Sequence, residues 1–362
     1  MNKMSSKKWF VSFICICLTV LLLMALTIYL FDPFCYYRIP ENRLIVNSYR
    51  FLNAGIAKNA TYDTVMIGSS MTQNFNMNSF RNKLGLNPVK LSVAGMSLEG
   101  LDLTYSQVCR IGKSKNAFIC IDLPSLEKSD ESLDSYATYL YNASIWDDYK
   151  YLLGYETWMR LFPLNVGIDL FSKTGRELPR FYGTYDIDTI GEWDHDAIYS
   201  AENIKNNYLR QIDQITVPNL IGIQERMRKN VDVLLDIIGQ NPEQKVTLFF
   251  PPYSALMWYN SQKQGYYEVY QDIKKYIVES VSDNSNIQIY DFQCMPIINN
   301  LDNYKDVTHY SAKINEMMVD CFLTGEYKID KDTVLTSINK LGLLIEEFEA
   351  NNTAWLEQDV AE

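Results

Sequence analysis

Short apolar runs alternate along the chain with longer stretches in which apolar residues recur at helical spacing. A short run rich in β-branched or aromatic residues and followed by a turn residue is typical of a buried strand. The segments with this pattern are Thr64–Ile67, Val89–Val93, Ala117–Ile121, Val246–Phe250 and Ile287–Tyr290. The helices predicted between them are Leu98–Ile111, Ile221–Ile238, Tyr266–Val281 and Ala312–Phe322. Strands that alternate with helices predict an α/β fold with a parallel sheet covered on both faces.

The stretch from about 126 to 218 interrupts this alternation. It contains an aromatic, helical segment, TYLYNASIWDDYKYLLGYETWMRLF, and continues as a loop-rich portion through Trp193. We interpret it as an insertion over the carboxyl edge of the sheet, where open α/β folds bind ligands. Its aromatic residues fit either a small core of their own or a lid over a substrate.

An uncharged apolar segment runs from Trp9 to Phe31. At about 1.5 Å per residue, a helix of this length crosses the roughly 30 Å hydrocarbon core of a membrane. Lys3, Lys7 and Lys8 precede the segment and Asp32 follows it, so the positive-inside rule places the amino terminus in the cytoplasm and the rest of the chain outside. The alternative is a cleaved signal peptide, which usually has a shorter apolar region and a small-residue cleavage site. An uncleaved signal anchor is therefore predicted.

Composition narrows the classes of ligand. The formal net charge is −11 and no basic stripe is present, which argues against nucleic acid as a partner. The seven cysteines contain no C-x-x-C pair and the chain has only two histidines, so we predict no metal site and no cofactor. The cysteines are expected to be buried thiols, and a single bridge through Cys109 or Cys120 is left open.

The segment DTVMIGSSMTQNF places a serine directly after a predicted strand. The strand ends at Ile67, Gly68 permits a sharp turn, and Ser69 and Ser70 open a predicted helix. Ser70 would then stand at the carboxyl edge of the sheet, beside helix amides that can stabilise an oxyanion. An ordinary helix N-cap has the same sequence, so this motif alone does not decide the function.

The segment NYKDVTHYSAKINEMM contains Asp306 and His309 before a helix predicted to be capped by Ser311. A serine hydroxyl becomes a good nucleophile when a histidine accepts its proton, and a carboxylate fixes the tautomer of that imidazole. The only other histidine, His195 in EWDHDA, is expected to be solvated or structural. His309 is therefore the candidate base.

A third segment, VKLSVAGMSLEG, also joins a strand to a helix. Gly95 can offer an unobstructed backbone N–H there, although a tight turn that needs glycine explains the residue about equally well. Gly95 and Gly100 have the spacing of a phosphate-binding loop, but the Lys and Ser/Thr of that motif do not follow. The segment is therefore not interpreted as a nucleotide site.

Taken together, the motifs resemble the SGNH/GDSL hydrolases, over about residues 60–125 and 245–325 and in the same chain order. The resemblance implies the fold of that family, a flavodoxin-like three-layer α/β/α sandwich with a parallel sheet, preceded here by one transmembrane helix. The anchor and the Gly-Ser-Ser sequence are more similar to the branch that acts on cell-envelope polymers. That branch includes the D-alanyl transfer protein of teichoic acid modification and the alginate-type O-acetyltransferases.

The resemblance also implies which residues act. The triad would be Ser70, Asp306 and His309, and the oxyanion hole would use the backbone N–H groups of Ser70 and Gly95. Ser69 stands where the hydrolases often have Asp, and Asp122 in FICIDLPSL replaces an Asn that donates to the oxyanion in many members. We expect Ser69 and Asp122 near the substrate, and an oxyanion hole that is smaller or differently completed.

The function implied is a membrane-anchored, extracytoplasmic serine acyltransferase or esterase that acts on O-acyl groups of an envelope glycan or polymer. Transfer to a hydroxyl and hydrolysis by water use the same triad, and both are left open. The alternative is a non-catalytic protein of the same fold that binds an envelope glycan or a membrane-bound acyltransferase partner. The missing Asn favours this alternative, whereas the retained triad residues argue against it.

These predictions divide the single-pass chain into consecutive parts. They are a cytoplasmic amino terminus at 1–8, a transmembrane signal anchor at 9–31, a stalk at 32–60, a catalytic domain at 61–326 with the insertion at about 126–218, and a carboxyl-terminal helix with an acidic tail at 327–362.

Overall fold

The structure is a computed structural model of the chain, and it describes residues 6–41, 43–128, 133–174, 183–211 and 220–356. The α-helices are α1 (Ser6–Phe31), α2 (Tyr49–Asn59), α3 (Met77–Ser79), α4 (Leu98–Ile111), α5 (Asp148–Leu153), α6 (Phe162–Ser172), α7 (Ala201–Gln211), α8 (Ile223–Gly239), α9 (Ala255–Gln264), α10 (Tyr266–Val281), α11 (Ala312–Thr324) and α12 (Val334–Leu356). The β-strands are β1 (Ile45–Val46), β2 (Thr64–Ile67), β3 (Pro88–Lys90), β4 (Asn116–Cys120), β5 (Gly183–Thr184), β6 (Lys245–Phe250), β7 (Ile287–Asp291) and β8 (Lys328–Ile329).

The central sheet has six strands in the order β3-β2-β4-β6-β7-β8. The first five are parallel to one another, and β8 is antiparallel to β7. The prediction of a mixed α/β fold with a largely parallel sheet is confirmed. The sequence pattern does not predict β8, because its two residues are too few to show an alternation.

Strand β3 is shorter than predicted, ending at Lys90 rather than Val93. The N–H groups of Leu91 and Val93 nevertheless donate to the carbonyl oxygens of Met66 and Gly68, at 2.8 and 3.0 Å. The chain after β3 therefore continues alongside the end of β2. This brings the two strand-to-helix junctions singled out in the sequence close together.

Helices α4 and α10 have the predicted bounds. Ser97 caps α4 by accepting a hydrogen bond from a backbone N–H of the first turn at 3.2 Å, and Gly112 ends it in the left-handed conformation with φ of 72°. Helix α8 begins at Ile223 rather than Ile221, because Gly222 between them is left-handed with φ of 76°.

The chain divides into two compact units. The larger unit contains Thr61–Leu133 and Asp188–Glu362, and the smaller contains Met1–Ala60 and Asp134–Ile187. Of the predicted insertion, 134–187 thus belongs to the smaller unit, whereas the described residues from 188 onward belong with the central sheet.

The core of the larger unit is rich in aromatic rings. The ring of Phe322 in α11 has the rings of Phe118, Phe249 and Phe292 around it, at centroid distances of 5.0, 5.7 and 5.4 Å. These rings come from β4, β6 and the turn after β7. Helix α11 is thereby packed onto the sheet, which fixes the position of the loop that precedes it.

In the smaller unit, β1 pairs with β5 in antiparallel fashion and residues after α1 fold around a buried carboxylate. Asp32 accepts hydrogen bonds from the backbone N–H groups of Tyr36 and Tyr37, at 2.9 and 2.8 Å, and from the hydroxyl of Tyr151 at 2.8 Å. Residues 32–60, described as a stalk from the sequence, therefore contain β1 and α2 and fold with part of the insertion. The sequence pattern does not reveal this grouping because the two segments lie far apart along the chain.

Helix α1 is long and apolar enough to cross a membrane, and within the described ranges it is the one helix of this kind. It has 26 residues and includes the predicted segment 9–31. At about 1.5 Å per residue, that length exceeds the roughly 30 Å of a hydrocarbon core.

Candidate active site

Ser70 follows strand β2, in which every residue is buried. Gly68 connects the strand to the serine, and it is not in the left-handed backbone region. A Cβ atom on Gly68 would lie 2.7 Å from Cγ2 of Thr72 and 2.8 Å from Cβ of Cys120. Glycine is explained here by close packing beneath the serine, rather than by the turn conformation proposed from the sequence.

The predicted helix after β2 is wrong: the chain forms a single 3₁₀ turn, Ser70–Thr72. Ser69 caps this turn, since its Oγ accepts a hydrogen bond from the N–H of Met71 at 3.4 Å. No longer helix continues from it because Asn76 caps a new helix, accepting a hydrogen bond from the N–H of Asn78 at 2.9 Å. A turn this short lacks the aligned dipoles of a helix, so individual N–H groups would have to stabilise an oxyanion.

His309 lies in a tight loop that precedes α11. An antiparallel bridge between Tyr304 and Tyr310 closes the loop. Inside it, Oδ1 of Asp306 accepts hydrogen bonds from the backbone N–H groups of His309 and Thr308, at 2.8 and 2.9 Å. The backbone of the loop thus fixes the carboxylate close to the imidazole.

The structure brings Ser70, His309 and Asp306 together in one hydrogen-bonded series. The Nε2 atom of His309 is 2.7 Å from Oγ of Ser70, and Nδ1 is 2.8 Å from Oδ2 of Asp306. When Nδ1 carries the ring proton, it donates a hydrogen bond to the carboxylate. Nε2 is then the basic nitrogen and can accept the hydroxyl proton of the serine. This is the order of groups that a serine nucleophile requires.

Hydrogen bonds from neighbouring elements hold the histidine loop in place. The hydroxyl of Tyr310 donates to the carbonyl oxygen of Met71, in the 3₁₀ turn Ser70–Thr72, at 3.2 Å. Ser254, which follows β6, donates through its N–H and its hydroxyl to the carbonyl oxygen of Val307, at 3.2 and 2.6 Å. The position of the imidazole is therefore set from both sides of the loop.

The Asp306 side chain is 44% exposed and that of His309 is 26% exposed. Burial by itself would raise the pKa of Asp306, but the hydrogen bond and charge of His309, with the backbone N–H groups of His309 and Thr308, hold that pKa well below its usual range. Asp306 is therefore ionised at neutral pH. An ionised carboxylate can orient the imidazole and stabilise it after it takes a proton.

Gly95 lies two residues after Val93, which pairs with Gly68 through the hydrogen bond described above. Gly95 is left-handed, with φ of 65°, in a turn closed by the N–H of Met96 and the carbonyl oxygen of Val93 at 2.9 Å. Within the part of the chain that the structure describes, the backbone N–H groups of Ser70 and Gly95 have no acceptor. Both can therefore donate to a ligand, as an oxyanion hole requires.

Asp122 follows β4, at the position where the resemblance implies an Asn donor. Its Oδ2 accepts a hydrogen bond from the hydroxyl of Ser69 at 3.2 Å, and its Oδ1 accepts one from the hydroxyl of Tyr253. Tyr253 is fully buried, and this burial, together with the charge of Asp122, raises the pKa of its hydroxyl well above the usual value. A carboxylate has no proton to donate, so Asp122 contributes by holding Ser69, which caps the 3₁₀ turn Ser70–Thr72.

A small cavity adjoins Ser69 and Asp122. Its volume is about 30 Å³, and its walls are mainly apolar, with Met96, Leu98 and Leu101 among them. A space of this size holds one or two water molecules, or a group of a few heavy atoms.

Trp193 is the main residue of the site that sequence analysis did not identify. Its indole Nε1 donates to the carbonyl oxygen of Ser70 at 3.2 Å, and its ring is perpendicular to the His309 imidazole with centroids 5.3 Å apart. The Oδ1 atom of Asn74 accepts a hydrogen bond from the Trp193 N–H at 3.0 Å, and Nζ of Lys305 lies 3.8 Å from the centroid of the indole ring. No motif surrounds Trp193 in the sequence, so only the tertiary contacts reveal it.

Asp194, the next residue, contacts the helix that follows the histidine. Ser311 occupies the N-cap position of α11 as predicted, but its hydroxyl makes no cap hydrogen bond. The Oδ1 atom of Asp194 accepts instead, from the N–H of Ala312 at 2.6 Å and from the hydroxyl of Tyr199. Trp193 and Asp194 thereby connect the 3₁₀ turn Ser70–Thr72 to the start of α11.

The remaining candidates lie outside this arrangement. The Nε2 atom of His195 is 3.1 Å from Oδ2 of Asp196. All seven cysteines are free thiols, so neither Cys109 nor Cys120 forms the bridge left open by the sequence. Among the residues that the structure describes, no three His, Cys, Asp or Glu side chains are grouped so that they could hold a metal ion.

The site thus combines a serine hydroxyl, an imidazole that can accept its proton, an ionised carboxylate and two N–H groups without acceptors. Groups of these types in this order can perform nucleophilic acyl transfer. No protein-family model matches the chain, and no curated protein matches it.

Proposed function

We propose that the chain is a serine acyltransferase or esterase of the SGNH type, with Ser70 as nucleophile, His309 as base and Asp306 as the orienting carboxylate. The observation that carries this proposal is the 2.7 Å distance between Ser70 Oγ and His309 Nε2, with the carboxylate 2.8 Å from the other ring nitrogen. The strand order supports an SGNH-type fold. Numbered among themselves, the five parallel strands run 2-1-3-4-5, which is the order of flavodoxin-like folds.

In the proposed reaction, Ser70 Oγ attacks the carbonyl carbon of an O-acyl ester while His309 Nε2 accepts the hydroxyl proton. The N–H groups of Ser70 and Gly95 stabilise the oxyanion that forms. The carbon–oxygen bond to the donor alcohol then breaks, and the alcohol leaves with the proton from His309. Water or an acceptor hydroxyl next attacks the carbonyl carbon of the acyl-serine and gives its proton to His309. The bond between this carbon and Ser70 Oγ then breaks, and His309 returns the proton to Oγ.

The proposed substrate is an O-acylated glycan or polymer of the cell envelope. Helix α1 supports anchoring in the cell membrane, and Lys3, Lys7 and Lys8 before it favour an external position for the central sheet. The small cavity beside Ser69 and Asp122 has space for a short acyl group. A membrane-bound acyltransferase that supplies acyl groups is the protein partner that fits this location.

A second candidate is a non-catalytic protein of the same fold that binds an envelope glycan or such a partner. Asp122 favours this candidate, because its two oxygens accept hydrogen bonds from Ser69 and Tyr253 and it gives no third donor to an oxyanion. Removing one donor from an oxyanion hole costs about 10²–10³ in rate, so a hole with two N–H groups still permits catalysis. The hydrogen-bonded triad therefore makes the enzyme the better-supported proposal.

The test is acyl-enzyme formation by the full chain, because residues 32–60 and 134–187 fold together and a truncation would divide a compact unit. Purified protein in detergent is mixed with p-nitrophenyl acetate. The proposal expects a burst of p-nitrophenol equal to the enzyme concentration, lost in Ser70→Ala and retained in the matched variant Ser106→Ala, whose hydroxyl lies in helix α4. Adding a polyol acceptor distinguishes the two reactions, because transfer forms an acetylated polyol whereas hydrolysis forms acetate. A folded protein with no burst would favour the non-catalytic candidate.

A further inference from the structure

Large apolar side chains are exposed to solvent in helix α6, in the π-helical turn Glu156–Leu161 before it, and at Tyr155, which precedes that turn. The exposed fractions are 74% for Tyr155, 65% for Met159, 45% for Leu164, 60% for Leu170 and 40% for Phe171. Exposed apolar residues of soluble proteins are usually scattered singly. Here they follow one helical segment, and we call them the α6 face.

Within α6, from Phe162 to Ser172, the face carries no exposed charge. Between Arg160 and Lys173 the sequence has one ionisable residue, Asp169, and that side chain is buried. Asp169 accepts a hydrogen bond from the N–H of Leu44 at 3.3 Å and pairs with Lys173 at 2.6 Å, so its carboxylate points into the smaller unit. The side chains of Arg160 and Lys173, 73% and 60% exposed, flank α6, and Arg160 pairs at 2.9 Å with Glu156, which lies between Tyr155 and Met159.

The segment that carries this face contacts the end of α1. The ring of Phe162, the first residue of α6, contacts the ring of Phe31, the last residue of α1, with centroids 5.0 Å apart at 89°. Trp158 contacts Phe162 from the preceding turn at 5.3 Å. If α1 spans a membrane, Phe31 lies at the boundary of the hydrocarbon core, and Phe162 must lie at the same depth.

A second group of exposed apolar residues lies at the beginning of helix α5, which packs directly against α1. Trp146 is 84% exposed, Ile145 is 76% exposed and Tyr149, in α5, is 59% exposed. The hydroxyl of Tyr151 in α5 donates to Asp32 immediately after α1, at 2.8 Å. Tryptophan and tyrosine are enriched at membrane–water interfaces, where one side of the ring meets lipid and the other meets water.

We infer that the α6 face lies on the lipid bilayer, in the headgroup region beside the exit of α1, so that the smaller unit contacts the membrane surface. Helix α6 has 11 residues, or about 16 Å, which is too short to cross a bilayer. The exposed side chains of α6 are uncharged and basic residues flank the helix, so long basic side chains can reach the headgroups while the helix lies in the plane of the interface.

Continuity with α1 favours lipid over a protein as the occupant. Phe162, between Met159 and Leu164 of the face, contacts the membrane-spanning helix, so the start of α6 has lipid beside it before any partner binds. The inference depends on the membrane anchor and on no chemistry of Ser70. It therefore stands or fails separately from the proposed enzymatic function.

The test measures contact with lipid in the full chain reconstituted into phosphatidylcholine–phosphatidylglycerol vesicles. In a Cys15→Ala, Cys17→Ala, Cys109→Ala background, an NBD dye is attached at Met159→Cys or at Phe171→Cys. The matched controls are Leu335→Cys and Leu343→Cys, which are 54% and 65% exposed in helix α12 of the larger unit. Spin-labelled lipids in the vesicles report contact with the bilayer by quenching the dye.

We expect strong quenching and blue-shifted emission at the α6 positions and neither at the α12 positions. Equal, weak quenching at all four positions would overturn the inference. Blue-shifted emission without quenching by spin-labelled lipid would also overturn it, since a protein would then cover the face. A measurement without cysteine variants gives an independent check: brominated lipids should quench the tryptophan fluorescence of the wild type more than that of Trp146→Phe.

Discussion

Trp193 donates its indole N–H to the carbonyl oxygen of Ser70, at 3.2 Å, while its ring stands perpendicular to the imidazole of His309. One side chain therefore contacts both the nucleophile and the base of the proposed triad. It fixes the backbone of the serine and limits the orientations that the imidazole can adopt. Such contacts keep the reacting groups aligned before a substrate binds.

The first prediction concerns this contact. Trp193→Phe keeps an aromatic ring beside His309 and removes the hydrogen bond to Ser70. A neutral hydrogen bond contributes about 0.5–1.5 kcal/mol, so we expect the rate of fluorophosphonate labelling to fall by about 2–10-fold. The matched control is Trp146→Phe, whose indole is 84% exposed and lies in the smaller unit. Labelling of Trp193→Phe at the wild-type rate would show that the hydrogen bond does not position the nucleophile.

The second prediction concerns the pH dependence of stability. The pKa of Asp306 is lowered in the folded state, so its ionised form stabilises the fold at every pH above the unfolded pKa of about 3.9. That contribution is lost as the pH falls through the lower folded pKa. In thermal unfolding, Asp306→Asn should have a lower Tm than wild type, by a constant amount above about pH 5 and by less towards pH 3. A difference in Tm that grows with acidification would contradict the lowered pKa.

The third prediction concerns Tyr253, whose buried hydroxyl donates to Asp122. Hydrogen bonds to charged groups contribute about 1.5–3 kcal/mol, so Tyr253→Phe should lower the free energy of unfolding by about that amount. Tyr276→Phe is the matched control, because it removes a tyrosine–aspartate hydrogen bond to Asp232 at the surface. The control should lose less than about 1 kcal/mol. If urea titrations show equal losses of unfolding free energy in the two variants, burial does not strengthen the hydrogen bond between Tyr253 and Asp122.

The fourth prediction concerns the packing beneath the nucleophile. A Cβ atom on Gly68 would overlap Thr72 and Cys120, so Gly68→Ala should destabilise the protein by about 1–3 kcal/mol and slow labelling of Ser70. Gly239→Ala, in helix α8 with no atom within 4 Å of the added Cβ, is the control. This control should be labelled at the wild-type rate. Its free energy of unfolding should equal that of wild type or exceed it by up to about 1 kcal/mol. If both variants behave alike, close packing does not explain the glycine.

Sequence patterns predict the central sheet and the convergence of Ser70, Asp306 and His309, because both depend on local signals. Each parallel strand is a short apolar run, and Ser70, Asp306 and His309 occur in short motifs at the ends of elements. Since parallel strands share one carboxyl edge, residues at those ends converge even when hundreds of positions separate them. The 239-residue separation of Ser70 and His309 is therefore no obstacle to the prediction.

Features that depend on contacts between distant segments could not be predicted in this way. Trp193 and Asp194 lie in a loop-rich stretch, and nothing local indicates that they contact His309 and the start of α11. The buried Asp32, which organises residues after α1, likewise depends on Tyr151 from another part of the chain. The sequence predicts a helix at Ser70, where the chain forms a 3₁₀ turn, because serine caps both structures.

Fluorophosphonate labelling of the full chain in detergent tests the central claim most directly. The probe reacts with a serine only when a neighbouring base activates it. The account predicts stoichiometric labelling of wild type and of His195→Ala, and none of Ser70→Ala or His309→Ala, with all four proteins folded by circular dichroism. Labelling that persists in Ser70→Ala, or a folded wild type that is not labelled, would contradict the claim that Ser70 is an activated nucleophile.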